Sequence, residues 1–401
     1  MGLQFVKAGP LDYDDVIDFG NYVFCHDHGP HDFITTLPKL YKREYFMDGI
    51  HYLVREDNKI KALIGAYQVE YEYSSPDLGV TSLPGRGIGM VTVHPYHRSR
   101  GFMKELMNRA MEDMRLDNLV FSCLSGQRQR YGYFGYHPAG SVFNFKLYGN
   151  NIRHTLGKQW STNISLKSLE SGEEAMLDHI QALHYTKPIR MHRQRERLYD
   201  ILLSMSSGIL VATEGGRFEG YLLYHSGEDG KLQITEINLC DLSRLPEVLG
   251  LFLSKDNLVG KRESVWITAL PYEREKIAAL SRFSEEYTQS QAYQFAVFDY
   301  RRFIEPFLRL KAREQTLADG SFIIRIEGAV QIKLAVTQGA ASVTEIADSD
   351  SGKADLCLSD REVLDFLFSP LAAQVYPVIG KNVFLQSLLP LPLFIETADT
   401  V

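Results

Sequence analysis

Residues 87–104 constrain the fold of this chain more than any other stretch. An apolar run (Ile88, Met90, Val91, Val93) meets Pro95, and a short basic turn follows, His97-Arg98-Ser99-Arg100-Gly101. A helical pattern begins at once, with Met103, Leu106, Met107, Ala110 and Met114 on one face. Strand, basic glycine-containing turn and helix N-terminus in succession form an anion site. The N–H groups of a helix's first turn have no intrahelical partner, and the helix dipole adds partial positive charge there. Arg98 and Arg100 supply full charge, and Gly101 lets the backbone approach an anion closely.

Composition narrows the partners. A chain of 401 residues predicts two or three domains. A formal charge of −7 argues against nucleic acid or an anionic membrane surface as the main partner. It mildly favours cationic substrates. The cysteines (Cys25, Cys123, Cys240, Cys357) form no Cys-x-x-Cys pair. This pattern predicts buried, reduced thiols in a cytoplasmic protein, and neither disulfides nor a metal site. The first residues lack a signal-peptide pattern, and no apolar run has membrane-spanning length.

The rest of the chain reads as α/β (α+β). Residues 11–25 are helical in spacing, and 25–32 read as a Gly-Pro-broken polar loop. That loop carries Asp27, Asp32 and three histidines. Metal binding, an amine-holding carboxylate and plain solvation compete there, and solvation is favoured. Strands are predicted at 51–56 and 60–73, then a turn-rich loop at 74–85, the strand 87–93, and strands at 119–124 and 141–148. Gly149-Asn150-Asn151 reads as a boundary. Residues 151–298 repeat this order of elements: two helical stretches in 172–206, strands at 208–213, 217–225 and 231–239, a helix at 243–256 and a strand at 263–269. Gly215-Gly216 and 227–230 are its turns, and no basic turn precedes its helix. Residues 299–401 open with a helix at 303–312. Alternating strands follow from Ser321 to Ile346, then a helix after Ser359.

Two motifs carry a resemblance. Arg98-x-x-Gly101 is similar to the pyrophosphate motif of the GCN5-related N-acetyltransferases, although Met103 stands where that motif has a small residue. Tyr131-x-x-x-Gly135-Tyr136 follows the next strand. Together, Val-His-Pro-x-His-Arg-x-Arg-Gly (93–101) and Tyr-Gly-x-Phe-Gly-Tyr (131–136) resemble the Eis-like acetyltransferases (enhanced intracellular survival family). The resemblance implies two acetyltransferase-like mixed-sheet domains, 1–150 and 151–298, the second degenerate. It also implies a C-terminal domain like sterol carrier protein, 299–401, to which residues 352–364 are similar.

That resemblance implies a reaction and a site. Acetyl-CoA would lie along Val91, Thr92 and Val93. Its pyrophosphate would rest on Arg98, Ser99, Arg100, Gly101, Phe102, Met103 and Lys104, with Gly126 and Gln127 completing the set. A backbone N–H on that strand would polarise the thioester carbonyl. Tyr131 would protonate the departing thiolate, while Tyr133 and Tyr136 read as surface or core aromatics. The main-chain carboxylate of Val401 would enter the site as base, although members of the family end in an aromatic residue. The acceptor would be a primary amine on an aminoglycoside-like, polyamine or lysine-containing molecule, attacking directly in a ternary complex. The family also suggests a homo-oligomer, a hexamer. The competing expectation is a non-catalytic protein whose C-terminal domain binds a lipid or small molecule.

Overall fold

The computed structural model describes residues 2–47, 49–77, 79–157, 161–206, 208–227, 231–254, 264–347 and 353–401. The first third runs β1 (Gln4–Lys7), α1 (Tyr13–His28), α2 (Phe33–Thr36), α3 (Pro38–Tyr41), β2 (His51–Glu56), β3 (Lys59–Ser75), β4 (Gly79–Val93), α4 (Phe102–Leu116), β5 (Phe121–Leu124), α5 (Arg128–Tyr131), β6 (His137–Tyr148) and α6 (Gly149–Leu156). The middle follows as β7 (Ile164–Ser168), α7 (Glu174–His184), β8 (Ile189–Met191), α8 (Leu198–Leu203), β9 (Gly208–Glu214), β10 (Arg217–Ser226), β11 (Leu232–Leu239), α9 (Leu245–Ser254), β12 (Ser264–Ala269), α10 (Arg274–Ser281) and β13 (Glu286–Val297). The last part is α11 (Tyr300–Glu314), β14 (Gly320–Ile326), β15 (Gln331–Thr337), β16 (Ala340–Ile346), β17 (Leu356–Leu358), α12 (Asp360–Phe368), α13 (Ala372–Val375), α14 (Pro377–Gly380) and α15 (Val383–Leu388).

The first two parts share one mixed sheet, ordered β1-β2-β3-β4-β5-β13-β6-β12-β11-β10-β9-β7, with β8 paired to β3. The repeat expected from the element order is visible in this arrangement. In each half four strands lead to a fifth that pairs in parallel, β4 with β5 and β11 with β12. The closing strands are exchanged: β13 of the second half lies beside β5, and β6 of the first lies beside β12. α/β layering follows from the period-2 alternation of β3. Ile64 and Ala66 join Leu106, Met107 and Ala110 of α4 on one face. Leu63 and Tyr67 join Val16 and Ile17 of α1 on the other.

The third part has its own sheet, β16-β15-β14-β17. Phe303, Ile304, Phe307 and Leu308 of α11 are buried in a core that also takes in Tyr71, Phe121 and Phe295 of the large sheet. Full burial of such side chains stabilises by about 1.5–3 kcal/mol each, so the third part is anchored rather than tethered. After α15 the chain returns to the large sheet. Leu391, Leu393, Phe394 and Ile395 are buried. The Ser141 N–H donates to the Leu393 carbonyl at 3.0 Å, and the Tyr71 hydroxyl donates to that of Phe394.

Several expectations are corrected. Residues 25–28 continue α1 rather than forming a loop. The expected loop at 74–85 is mostly strand: β3 and β4 form a hairpin paired from Ser75↔Gly79 down to Ala62↔Val93. Alternating contacts between these long strands outweigh the local turn preference of Ser74, Ser75 and Pro84. Gly149 to Asn151 open α6. Only Cys123 is buried; Cys25, Cys240 and Cys357 are free and exposed. β1, β7, β8 and β13 are not among the strands that the sequence pattern predicts. Of the turn at 227–230, residues 228–230 lie outside the described residues, as do 255, 256 and 263 at the ends of two predicted elements and 352 at the start of the 352–364 run.

Candidate active site

The site begins where two strands part. β4 pairs with β5 only at Gly85↔Phe121, Arg86↔Ser122 and Gly87↔Cys123. Its register with β3 slips between Leu63 and Gly65, and Met90 adopts φ 50°. A bulge of this kind bends and re-aims a strand. The Met90 side chain turns onto α1, where a Cβ at Gly20 would lie 2.9 Å from its Sδ. Beyond Gly87, β4 therefore diverges from β5 and leaves a V-shaped opening with Val91, Thr92 and Val93 on one arm.

A groove of about 470 Å³ continues from that arm. Val91, Val93, Arg98, Ser99, Arg100, Gly101, Phe102, Met103 and Lys104 all line it. Ser99 (φ 63°) and Gly101 (φ 79°) both adopt left-handed conformations, and Gly101 caps α4. Such a turn directs successive N–H groups into a concavity suited to an anion. Met103 is half-buried against the α4 core, so its bulk sits beside the groove without closing it.

Carboxylates of the chain hold both arginine forks. Arg98 Nη2 lies 2.6 and 2.8 Å from the Asp27 oxygens. Arg100 reaches Glu56 at 3.1 and 3.3 Å and His97 Nδ1 at 2.8 Å. The Arg98 guanidinium, with His26, holds the Asp27 carboxyl down at about 2. Asp27 and Arg130 both line the groove, and the sequence reading assigned neither to it. Asp27 lies between His26 and His28 in the last turn of α1, and a loop reading of 25–32 gives its side chain no fixed direction.

Three expected donor-binding residues stand apart from the groove lining, and so does Tyr131, which lines neither the groove nor the cavity beside Val401. Thr92 is buried and its hydroxyl donates to the Leu63 carbonyl at 3.3 Å, so only its backbone faces the strand edge. Gly126 and Gln127 support Tyr131. The Gln127 carbonyl accepts the Tyr131 N–H at 3.2 Å, and a Cβ at Gly126 would meet the Tyr131 ring at 2.5 Å. Tyr131 itself is buried on the β5 side, and burial pushes its hydroxyl pKa up. Tyr133 is exposed and Tyr136 fully buried.

The chain's last residue reaches the apex of the V. Any side chain at Gly87 would collide with the isopropyl group of Val401. The Tyr293 hydroxyl donates to the Val401 carbonyl oxygen at 3.1 Å. Behind it the tail is clamped by buried charges. Arg193 Nε and Nη2 bond Asp399 at 2.9 and 3.0 Å, and Nη2 bonds Glu236 at 2.8 Å. Lys187 bonds Glu396 at 2.5 Å, and Lys39 bonds the Ala398 carbonyl at 2.5 Å. Burial pulls the Lys39 ammonium down to about 8. His184, Glu236 and Glu396 bring three potential ligand atoms within 4.8 Å, but Lys187 and Arg193 already occupy the carboxylates.

A second cavity, about 320 Å³, opens beside this tail. Lys39 and Tyr67 of the first part, Met191 and Arg197 of the middle, and Asp399 and Val401 all line it. In the second half β11 pairs with β12 only at Gln233↔Trp266 and Ile234↔Ile267. There Lys276 donates to the Ile237 carbonyl at 2.8 Å on the diverging strand. The Asp241 carboxylate already accepts the Ser243 N–H at the turn before α9.

Residues 6–139 match the family model of the acetyltransferase (GNAT) domain. No curated protein matches the sequence. Among solved structures the fold is similar to a GCN5-related N-acetyltransferase from Kribbella flavida (16% identity, TM-score 0.66, covering 98% of this chain and 97% of the other). It is also similar to a GCN5-related N-acetyltransferase from Anabaena variabilis (15%, 0.62, 98% and 97%) and to Eis1 from Mycobacterium abscessus (12%, 0.59, 90% and 88%). The chain thus carries a GNAT acetyltransferase domain within a mixed α/β architecture that these proteins share along most of their length.

Proposed function

We propose that this chain is an N-acetyltransferase that moves the acetyl group of acetyl-CoA to a primary amine. One observation supports the reading: both cavities lie along β4, the anion-binding groove at Val91 and Val93 and the second cavity at Pro84, Gly85 and Arg86, with Val401 seated against Gly87 between them. The donor enters from one side and the acceptor from the other, the geometry a direct transfer needs. In this reading residues 1–150 bind donor, 151–298 close the acceptor cleft and 299–401 deliver the tail.

We assign the roles as follows. N–H groups at the start of α4 and the charge of Arg98 and Arg100 hold the pyrophosphate. The freed edge of Val91 to Val93 pairs with the pantetheine amides. The amine attacks at the apex, the Val401 carboxylate accepts its proton, and Tyr131 protonates the leaving thiolate. Tyr131 suits that task because burial keeps its hydroxyl protonated. The test is thiol release with acetyl-CoA and a panel of primary amines. Turnover is expected, and it should vanish when a few residues are added after Val401 while acetyl-CoA affinity stays the same. No turnover with any amine would refute the proposal.

A further inference from the structure

β3 has a gap in its outer edge. β2 pairs with it up to His51↔Gly65, and the Ala66 N–H donates to the Ile50 carbonyl at 2.9 Å. Further on, the His192 N–H donates to the Glu70 carbonyl at 2.8 Å, and β8 pairs from Tyr71↔Met191 onward. In an antiparallel strand the N–H and C=O of one residue point the same way and alternate residues share a side. Ala66 and Glu70 both point outward, so Gln68 does too. Between those two bonds, among the described residues, neither main-chain group of Gln68 has a partner.

Gln68 is exposed at the mouth of the cavity beside the tail. Met47 and Ile50 close one end, and Met191, His192 and Gln194 the other; all line the cavity that holds Val401. From Ala66 to Glu70 the opening spans roughly 13 Å of strand at about 3.3 Å per residue. It admits one extended residue, not a long strand. An unpaired edge is a template for main-chain pairing, and a ligand that covers this donor and acceptor without pairing with them forfeits their hydrogen bonds to water.

We infer that the acceptor is a peptide-like amine, recognised by a two-hydrogen-bond pair between one of its residues and the main chain of Gln68. This deepens the acetyltransferase reading and rests on it. The amine then extends toward Val401 while the amide-bearing portion lies along the gap. A polyamine or a simple sugar amine leaves Gln68 unpaired.

The test compares kcat/KM for a tripeptide amide carrying a free amine with the same tripeptide methylated at each amide nitrogen in turn. Butylamine and spermidine serve as amines without amides. The tripeptide should exceed both, and methylation at one nitrogen should cost about tenfold, the worth of one hydrogen bond. In a Gln68→Pro variant, which removes the edge N–H but keeps the edge C=O and the ladder to β4, the native tripeptide should lose about tenfold, while methylation of the nitrogen that donates to the residue-68 carbonyl keeps its effect. Butylamine or spermidine turned over as well as the tripeptide, or every methylated peptide matching the parent, would overturn the proposal while leaving acetyl transfer intact. No turnover with any amine would overturn both.

Discussion

Placing Val401 against Gly87 makes Gly87→Ala a sharp perturbation. Gly87 is in extended strand and its φ lies outside the left-handed region, so alanine suits the backbone. The new Cβ, however, would lie 2.9 Å from Val401 Cγ1 and 3.2 Å from its Cβ, and closer still to Cγ2. Carbon contacts are comfortable at about 3.5–4.0 Å. The isopropyl group must therefore retreat by about 1 Å, taking the carboxylate with it and stretching the 3.1 Å bond from Tyr293. The end of the chain can move, so the fold bears little of this. Glycine-to-alanine replacement in permitted backbone stabilises by about 0.4–1 kcal/mol through the unfolded state, which offsets a lost terminal hydrogen bond of similar size. The rate has no such compensation, because misplacing a reacting group by about 1 Å costs about 10²-fold. Steady-state kinetics should show kcat down about a hundredfold, with acetyl-CoA affinity and the thermal midpoint nearly unchanged. Adding Val401→Ala removes both Cγ atoms and should restore most of the rate. Wild-type kcat in Gly87→Ala alone, or no recovery in the double variant, would refute the placement of the base.

Other changes probe the donor side, the proton donor and the clasp. Asp27→Asn frees the Arg98 fork and should tighten acetyl-CoA binding by about two- to fivefold, the scale of an exposed ion pair, as read by calorimetry. Held at about 2, Asp27 stays ionised across ordinary assay conditions, so this gain should be flat between about pH 5 and 8. Its stabilising effect is complete above the unfolded carboxyl pKa of about 3.9 and is lost only as pH falls through about 2. Tyr131→Phe should lower kcat by about 10²-fold with donor affinity intact. Arg193→Met strands the buried Asp399 carboxylate, while Glu236 keeps Lys187, and should cost about 3–5 kcal/mol in denaturant unfolding.

The groove at 91–104 is the most legible part of the sequence because its elements are local. A strand, Arg98, Arg100, Gly101 and a helix are contiguous, and the α4 pattern named its buried face correctly at Leu106, Met107, Ala110 and Met114. Asp27 was hidden because its partner, Arg98, is remote in sequence. β13 was missed for a different reason. Residues 286–291 are exposed, with a run of polar residues from Thr288 to Gln291, and only Gln294, Phe295 and Ala296 are buried. An alternation signal that short is overridden or supplied by tertiary pairing. The gap at Gln68 cannot be read from sequence at all. It exists only because β2 stops and β8, from another part of the chain, resumes on the same edge.

The strand exchange explains why the whole chain is needed for one opening. β13 packs Phe295 against Phe121 and Phe303, which ties β5 to α11 and the third part. The same strand carries Tyr293 to the Val401 carbonyl. Arg193 and Lys187, from the segment between α7 and α8, fix Asp399 and Glu396 a few residues upstream. The first part thus supplies the V, the second its far wall and the clasp, and the third the segment inserted at the apex. In the second half the matching position is filled by Lys276. Under the proposed function, one opening holding Lys276 and the other receiving the tail fit transfer in the first half, and the ion pairs of Arg193 and Lys187 with Glu236 also aim the tail at that opening.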